Sequence, residues 1–133
     1  MVLLVFDPTL SYVDIVNAGH LPPVFLTPEQ AVLVEGNGTL LGVPAAVPQP
    51  VRLDLPADST FVMTTDGLIE RRGHSLETDL EDLRATVRSV GSLDPDDIAE
   101  HLLEYFAAVI AADDVAVLVV RALPQQRNGA APR

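Results

Sequence analysis

The hydrophobic positions in the first half of the chain fall into short runs, several of which alternate with polar residues. Turn-forming segments separate the runs, as at residues 7–8 and 56–58. Short runs bounded by Pro, Gly and Asp are typical of antiparallel β-strands joined by tight turns. The pattern therefore predicts five or six strands, drawn from residues 2–6, 12–16, 24–26, 31–34, 51–55 and 59–65.

The hydrophobic period changes to that of helices in the second half. Residues 78–81 have the pattern of a capping box, and apolar residues at helical spacing continue to Gly91. The acidic segment 94–97, with proline at its second position, predicts the start of a second helix. The apolar run 115–120 predicts a last, buried strand. This order predicts an α+β fold with both helices on one face of a mostly antiparallel sheet.

Composition and charge exclude several classes of protein. The chain of 133 residues carries a net charge of −11, its eight basic residues are all arginine, and it has no cysteine. Such a surface repels nucleic acid and anionic membranes, and disulfides and thiolate metal sites are excluded. No apolar run approaches the ~20 residues that span a bilayer, and the N-terminus does not resemble a signal peptide. We therefore expect a cytoplasmic protein that binds neither nucleic acid nor membrane.

Two acidic positions stand at the borders of apolar strands, whereas most other acids lie at helix starts or turns. Asp66 ends a buried strand and is followed by Gly67, and Asp113-Asp114 opens the last strand. A carboxylate at such a border is costly unless it is paired or bound to a cation. Carboxylate oxygens suit Mg²⁺ or Mn²⁺. A carboxylate at a strand end can equally cap a turn, so spacing alone leaves both roles open.

Four motifs in register resemble one family. They are Asn-Ala-Gly-His-Leu-Pro-Pro at 17–23, Leu-Gly at 41–42, Thr-Asp-Gly-Leu-Ile-Glu at 65–70, and Asp-Asp with the apolar run at 113–121. Over residues 1–122 the chain resembles the C-terminal half of bacterial stage II sporulation protein E-type serine phosphatases. These belong to the metal-dependent (PPM, protein phosphatase 2C-like) superfamily. The resemblance implies part of a β-sandwich with helices on both outer faces, in α-β-β-α layers.

The resemblance also implies an activity and a site. The family hydrolyses phosphoserine or phosphothreonine in proteins with a water held by two Mg²⁺ or Mn²⁺ ions. Asp66 and Asp113 occupy the positions of metal-binding aspartates in the family's motifs, so the resemblance implies that both are metal ligands. It also implies that the site has no catalytic residue beyond its ligands. The residues expected beside the ligands are Gly67, Asp114, Asn17 and His20. By analogy, the substrate and partner is a phosphorylated regulatory protein such as an anti-anti-sigma factor.

This chain differs from the family in one respect. The first half of the family's domain carries aspartate motifs that supply the other metal ligands, and these motifs do not occur in this chain. We therefore expect residues 1–122 to be the C-terminal portion of a phosphatase domain, residues 123–133 to be a flexible tail, and this chain alone to be inactive. Three interpretations remain open. We favour a piece of a longer phosphatase. The second is a catalytically inactive remnant that binds a partner or forms a homodimer to cover exposed sheet. The third is an unrelated acidic α+β binding module.

Overall fold

Seven strands and three helices occur in the part of the chain that this computed structural model describes, residues 1–36, 38–43, 47, 49–71, 73–106 and 114–123. The strands are β1 (Val2–Phe6), β2 (Tyr12–Asn17), β3 (Val24–Leu26), β4 (Ala31–Leu33), β5 (Val51–Asp54), β6 (Thr60–Thr64) and β7 (Val117–Arg121). The helices, which all lie between β6 and β7, are α1 (Asp66–Ile69), α2 (Leu76–Val90) and α3 (Pro95–Tyr105). This order confirms the predicted α+β class.

The strands form two antiparallel sheets. One has three strands in the order β1-β2-β5, and the other has four in the order β4-β3-β6-β7. Thus β5 and β6 are consecutive along the chain but lie in different sheets. The register pairs Val24 of β3 with Val62 of β6, and Thr64 of β6 with Val117 of β7. β6 is therefore a central strand, which agrees with its nearly continuous burial.

The first core lies between the two sheets. Val13 and Ile15 of β2 point inward at alternate positions and are buried. Facing them, Phe25 stacks on Phe61 with ring centroids 4.6 Å apart, and Phe6 meets Phe61 edge-on at 5.9 Å. Aromatic pairs of this geometry add about 1 kcal/mol each beyond the area they bury. These contacts hold the sheets together as a sandwich.

The second core lies between the four-stranded sheet and the helices. Val62 faces it from β6, Leu83 and Val87 from α2, and Ile98 and Leu102 from α3, and all five side chains are buried. Both α2 and α3 therefore lie on one face of one sheet, as predicted. No helix in the described residues covers the outer face of the three-stranded sheet, where Leu3 and Val5 are about half exposed. None of these helices has the length and apolar character needed to cross a bilayer.

The helix boundaries correct one prediction and confirm two. α2 begins with Ser75 as its N-cap, whose hydroxyl accepts a hydrogen bond from Thr78 N–H at 3.2 Å, so the predicted capping box at 78–81 is wrong by one turn. Ser75 lies one turn earlier and its hydroxyl satisfies the free N–H group there. α2 ends at Val90 with Gly91 as its C-cap, and α3 begins at Pro95 after its N-cap Asp94, both as predicted.

Candidate functional site

Several predicted motifs meet at one end of the four-stranded sheet. Antiparallel pairing brings the start of β3 and the start of β7 next to the end of β6. The end of β4 joins them, because Val34 donates its N–H to the carbonyl oxygen of Pro23 at 2.8 Å. We call this end, formed by residues 20–22, 34–36, 65–66 and 114–116, the Asp66 edge. Pairing thus brings together segments that are far apart in the sequence.

Asp66 is the first residue of the short helix α1, and its side chain is exposed. Its Oδ1 accepts a hydrogen bond from the N–H of Gly67 at 3.0 Å. Leu68 and Ile69, which follow, are fully buried in the second core and anchor the helix. The burial of the next turn therefore fixes the backbone that carries this exposed carboxylate. The ligand role of Asp66 and the neighbouring role of Gly67 remain predictions.

Thr65 joins the end of β6 to the segment that precedes β7. Its N–H donates to the carbonyl oxygen of Ala116 at 3.0 Å, and its hydroxyl donates to the carbonyl oxygen of Asp114 at 3.1 Å. The N–H of Ala116 in turn donates to the Thr65 hydroxyl oxygen at 2.9 Å. The two acidic motifs therefore meet through the residue before Asp66. Asp113, the second predicted ligand, lies outside the described residues, as do residues 124–133 of the predicted tail.

The Asn-Ala-Gly-His turn is closed by its own asparagine. Asn17 is buried, its side-chain amide donates to the carbonyl oxygen of His20 at 2.9 Å, and its Oδ1 accepts from the N–H of His20 at 2.8 Å. His20 Nδ1 lies 2.9 Å from the carbonyl oxygen of Leu21. Because a carbonyl can only accept, Nδ1 carries the proton in this contact. These bonds give Asn17 and His20 a clear role in shaping the turn.

A cavity of about 260 Å³ lies beside this turn. Its lining includes Asn17, His20 and the exposed carboxylate residue Glu35, which the sequence did not single out. Gly36 is required here, because a Cβ at this position would lie 2.5 Å from the Cβ of Asn17. The glycine therefore permits the loop after β4 to lie against the buried asparagine. The only sequence signal was the Gly-Asn-Gly loop at 36–38, which is also typical of a plain hairpin.

The described part of the chain offers the exposed carboxylate of Asp66 at the Asp66 edge. Asp66 offers exposed, hard oxygen atoms of the kind that Mg²⁺ and Mn²⁺ prefer. No three His, Cys, Asp or Glu side chains are grouped closely enough to hold a metal ion among the residues that the structure describes. The donor chemistry therefore fits a metal, but the described ligand set is incomplete for one.

Comparison with known proteins gives a consistent result. The family model described as Stage II sporulation protein E (SpoIIE) matches residues 1–123. A solved structure of the RsbU and RsbW domains of Rv1364c from Mycobacterium tuberculosis is similar over 93% of this chain, with 26% identity and a TM-score of 0.78. The phosphatase domain of the cell fate determinant SpoIIE from Bacillus subtilis, presoaked with Mn, is similar over the whole chain, with 21% identity and a TM-score of 0.73.

This chain corresponds to only part of each of these two solved chains. This chain spans 36% of the Mycobacterium tuberculosis chain and 58% of the Bacillus subtilis chain. At 21% identity the second likeness concerns the fold alone. A search of curated protein sequences found no match.

Proposed function

Because this chain belongs to the stage II sporulation protein E family, we propose that it contributes to a metal-dependent protein phosphatase that hydrolyses phosphoserine. The family match supports phosphatase chemistry, and the likeness to a phosphatase domain supports the fold that would carry it. The observation that carries the proposal is the meeting of residues 65–66 with residues 114–116, held by the three hydrogen bonds of Thr65. That contact brings both acidic motifs to one edge of one sheet.

The proposed substrate is a phosphorylated regulatory protein of the anti-anti-sigma type, which would place the protein in the control of sigma factors in the cytoplasm. Three observations support this choice. The family resemblance carries it, and the similar structure from Mycobacterium tuberculosis contains an RsbU and an RsbW domain. The net charge of −11 favours a protein partner over nucleic acid.

The residues of this chain have defined parts in the proposed reaction. Bound Mn²⁺ or Mg²⁺ would supply a water activated for attack on phosphorus. Asp66 would hold one side of the metal with its exposed carboxylate. Thr65 fixes the backbone of residues 114–116 against β6, so the last acidic motif keeps its position relative to Asp66. The turn closed by Asn17 borders the same edge.

Because this chain alone is expected to be inactive, Mn²⁺ binding is the measurement that tests the proposal. We expect Asp66→Asn to weaken Mn²⁺ binding, measured by electron paramagnetic resonance, by about tenfold or more, because a charged ligand is lost. Its free energy of unfolding should stay within about 0.5 kcal/mol of the original, since Asp66 is exposed. Asp54→Asn, an equal charge change at an exposed residue of β5, is the control. Equal Mn²⁺ affinity in both variants would remove Asp66 from the site.

A second candidate function is favoured by the uncovered sheet face. Leu3 and Val5 are 49% and 52% exposed on β1, which is an edge strand of its sheet. Such a surface suits a catalytically inactive phosphatase remnant that binds a partner or a second copy. Mn²⁺-dependent phosphate release from a phosphoserine peptide by this chain would exclude this candidate. Retention of the phosphopeptide with no release, with or without Mn²⁺, would favour it.

A further inference from the structure

The described arginines divide into two groups by their partners. Arg52, Arg71 and Arg84 each form an ion pair with an aspartate or a glutamate. Arg88 and Arg121 form no ion pair with any carboxylate in the part of the chain that is described. In a chain of net charge −11, cations without an acidic partner are unexpected. These two arginines line the same cavity, which has a volume of about 390 Å³.

Arg88 is held at the cavity by backbone carbonyls. It projects from α2, and its Nη1 and Nη2 donate to the carbonyl oxygens of Pro28 and Glu29 at 3.3 and 3.1 Å. These carbonyls belong to the turn between β3 and β4. A guanidinium has more N–H groups than these two bonds use. The charge of Arg88 is therefore positioned by neutral groups and is not neutralised by them.

Arg121, at the end of β7, is fixed in the same way. Its Nε donates to the hydroxyl oxygen of Thr60 at 2.8 Å, and its Nη2 donates to the carbonyl oxygen of Gly91 at 3.0 Å. Gly91 is the C-cap of α2, where helix carbonyls carry partial negative charge that would repel an anion. Because Arg121 covers one of these carbonyls, it reduces that repulsion and presents its remaining N–H groups beside it.

We propose that this cavity binds a phosphate group, carried by inorganic phosphate or by a small phosphate monoester. Two arginines with neutral partners offer charge and N–H donors, the combination that recognises phosphate. Three residues that carry hydroxyl groups, Thr27, Ser89 and Ser92, also line the cavity, and Asp58 is an acid at its wall. A volume of about 390 Å³ accommodates a small ligand and exceeds what a bare ion needs.

The phosphate cavity lies at the opposite end of the sheet from Asp66. Arg121 pairs with Thr60, the first residue of β6, whereas Asp66 lies two residues beyond Thr64, the last residue of β6. At about 3.3 Å per residue, the two ends are separated by about 20 Å. The cavity is thus not part of the Asp66 edge, and this proposal does not depend on the proposed phosphatase function.

Calorimetric titration of the whole chain with inorganic phosphate, at constant ionic strength and without metal, tests the proposal. Phosphoserine in place of phosphate shows whether a monoester is preferred, and chloride measures nonspecific binding. We expect Arg88→Gln to weaken phosphate binding by about tenfold, since a hydrogen-bonding charge is lost. Arg52→Gln, the same charge change on the outer face of the three-stranded sheet, should leave the affinity unchanged.

A variant that binds phosphate more tightly would distinguish a binding role of the cavity from a purely structural role of its residues. Asp58 has a φ of 63°, a left-handed conformation that asparagine tolerates, so Asp58→Asn should fold normally. It removes the acid at the wall of the cavity and should tighten phosphate binding by about threefold. Phosphate binding no stronger than that of chloride would overturn the proposal. Equal weakening by Arg88→Gln and Arg52→Gln would also overturn it, because net charge alone would then explain the effect.

Discussion

Asp79 is a charged residue buried at the start of α2. Its side chain is 1% exposed, and it accepts hydrogen bonds from the N–H of Arg71 at 3.1 Å and from Arg71 Nε at 2.8 Å. We expect Asp79→Asn to lower the free energy of unfolding by about 2 kcal/mol or more, because Arg71 loses its buried charged partner. Urea titration measures the change. Glu81→Gln, which breaks an exposed pair with Arg84, is the control and should cost less than about 0.5 kcal/mol.

The same carboxylate makes stability depend on pH. Burial raises the pKa of Asp79, but the hydrogen bonds and charge of Arg71 outweigh burial and hold the pKa below its ordinary value of 3.8. The ionised form therefore stabilises the fold fully above the unfolded pKa, and that contribution is lost as pH falls through the folded pKa. We expect the stability difference between the original chain and Asp79→Asn to shrink below about pH 4. A constant difference down to pH 2 would contradict this.

Two threonines of β6 provide a matched pair. The hydroxyl of Thr64 is buried and has no hydrogen-bond partner among the described residues, whereas the hydroxyl of Thr60 accepts from Arg121 Nε at 2.8 Å. Replacing an unpaired buried hydroxyl with a methyl group removes a desolvation penalty. Thr64→Val should therefore raise the free energy of unfolding by about 1 kcal/mol, and Thr60→Val should lower it by about 1 kcal/mol. Thermal unfolding measures both, and a loss in Thr64→Val would contradict the first expectation.

At the scale of elements, the starts of α2 and α3 differ in how they are capped. The hydroxyl of Ser75 accepts from Thr78 N–H, whereas Asp94 is an N-cap whose side chain forms no capping hydrogen bond. We expect Ser75→Ala to destabilise the protein by about 1 kcal/mol, and Asp94→Ala to have a smaller effect. The charge of Asp94 still favours the helix dipole, so its contribution should fall with added salt. An equal loss of stability in both variants would mean that the charge of Asp94 on the helix dipole and the capping hydrogen bond of Ser75 contribute alike.

Element positions and the pairing of neighbouring strands, as in β1 with β2 and β3 with β4, were largely predictable from the sequence, whereas the pairing of distant strands was not. Gly91 and the Asp94-Pro95 pair marked helix ends because backbone chemistry acts locally. Pairing joins residues far apart: Arg52 of β5 meets Asp14 of β2, which is 38 positions away. Alternation says which face of a strand is buried, but it does not say which strand lies beside it. The four-residue helix α1 was also missed, since it is too short to show a helical period.

The candidate site shows the same limit. Asp66 was identifiable because an acid after an apolar run is unusual, whereas Asp79 could not be distinguished from a solvated acid at a helix start. The role of Thr65 depends on a hydroxyl that meets the carbonyl of Asp114, 49 residues along the chain. No local pattern encodes such a contact. Glu35 was missed because only pairing of the β3 and β4 segments brings it beside His20.

At the scale of the whole molecule, the three-stranded sheet leaves apolar residues exposed. We expect the chain to dimerise or aggregate through β1, and Leu3→Gln with Val5→Gln to reduce this association, because about half of each side chain is exposed on an edge strand. Light scattering over a range of concentrations measures the effect. Leu103→Gln, at an apolar residue 40% exposed on α3, is the control. A clean monomer of the original chain would show that this face needs no cover.

The hydrogen bonds of Thr65 also imply an order of assembly during synthesis. Thr65 and Ala116 are 51 residues apart, so β6 has no partner on its β7 side until β7 has been synthesised. At about 5–20 residues per second, that interval lasts about 3–10 seconds. Throughout it, an apolar strand presents an open edge, which is where unwanted pairing between nascent chains begins. Within the described sheet, the end that carries Asp66 is therefore completed only when β7 docks beside β6.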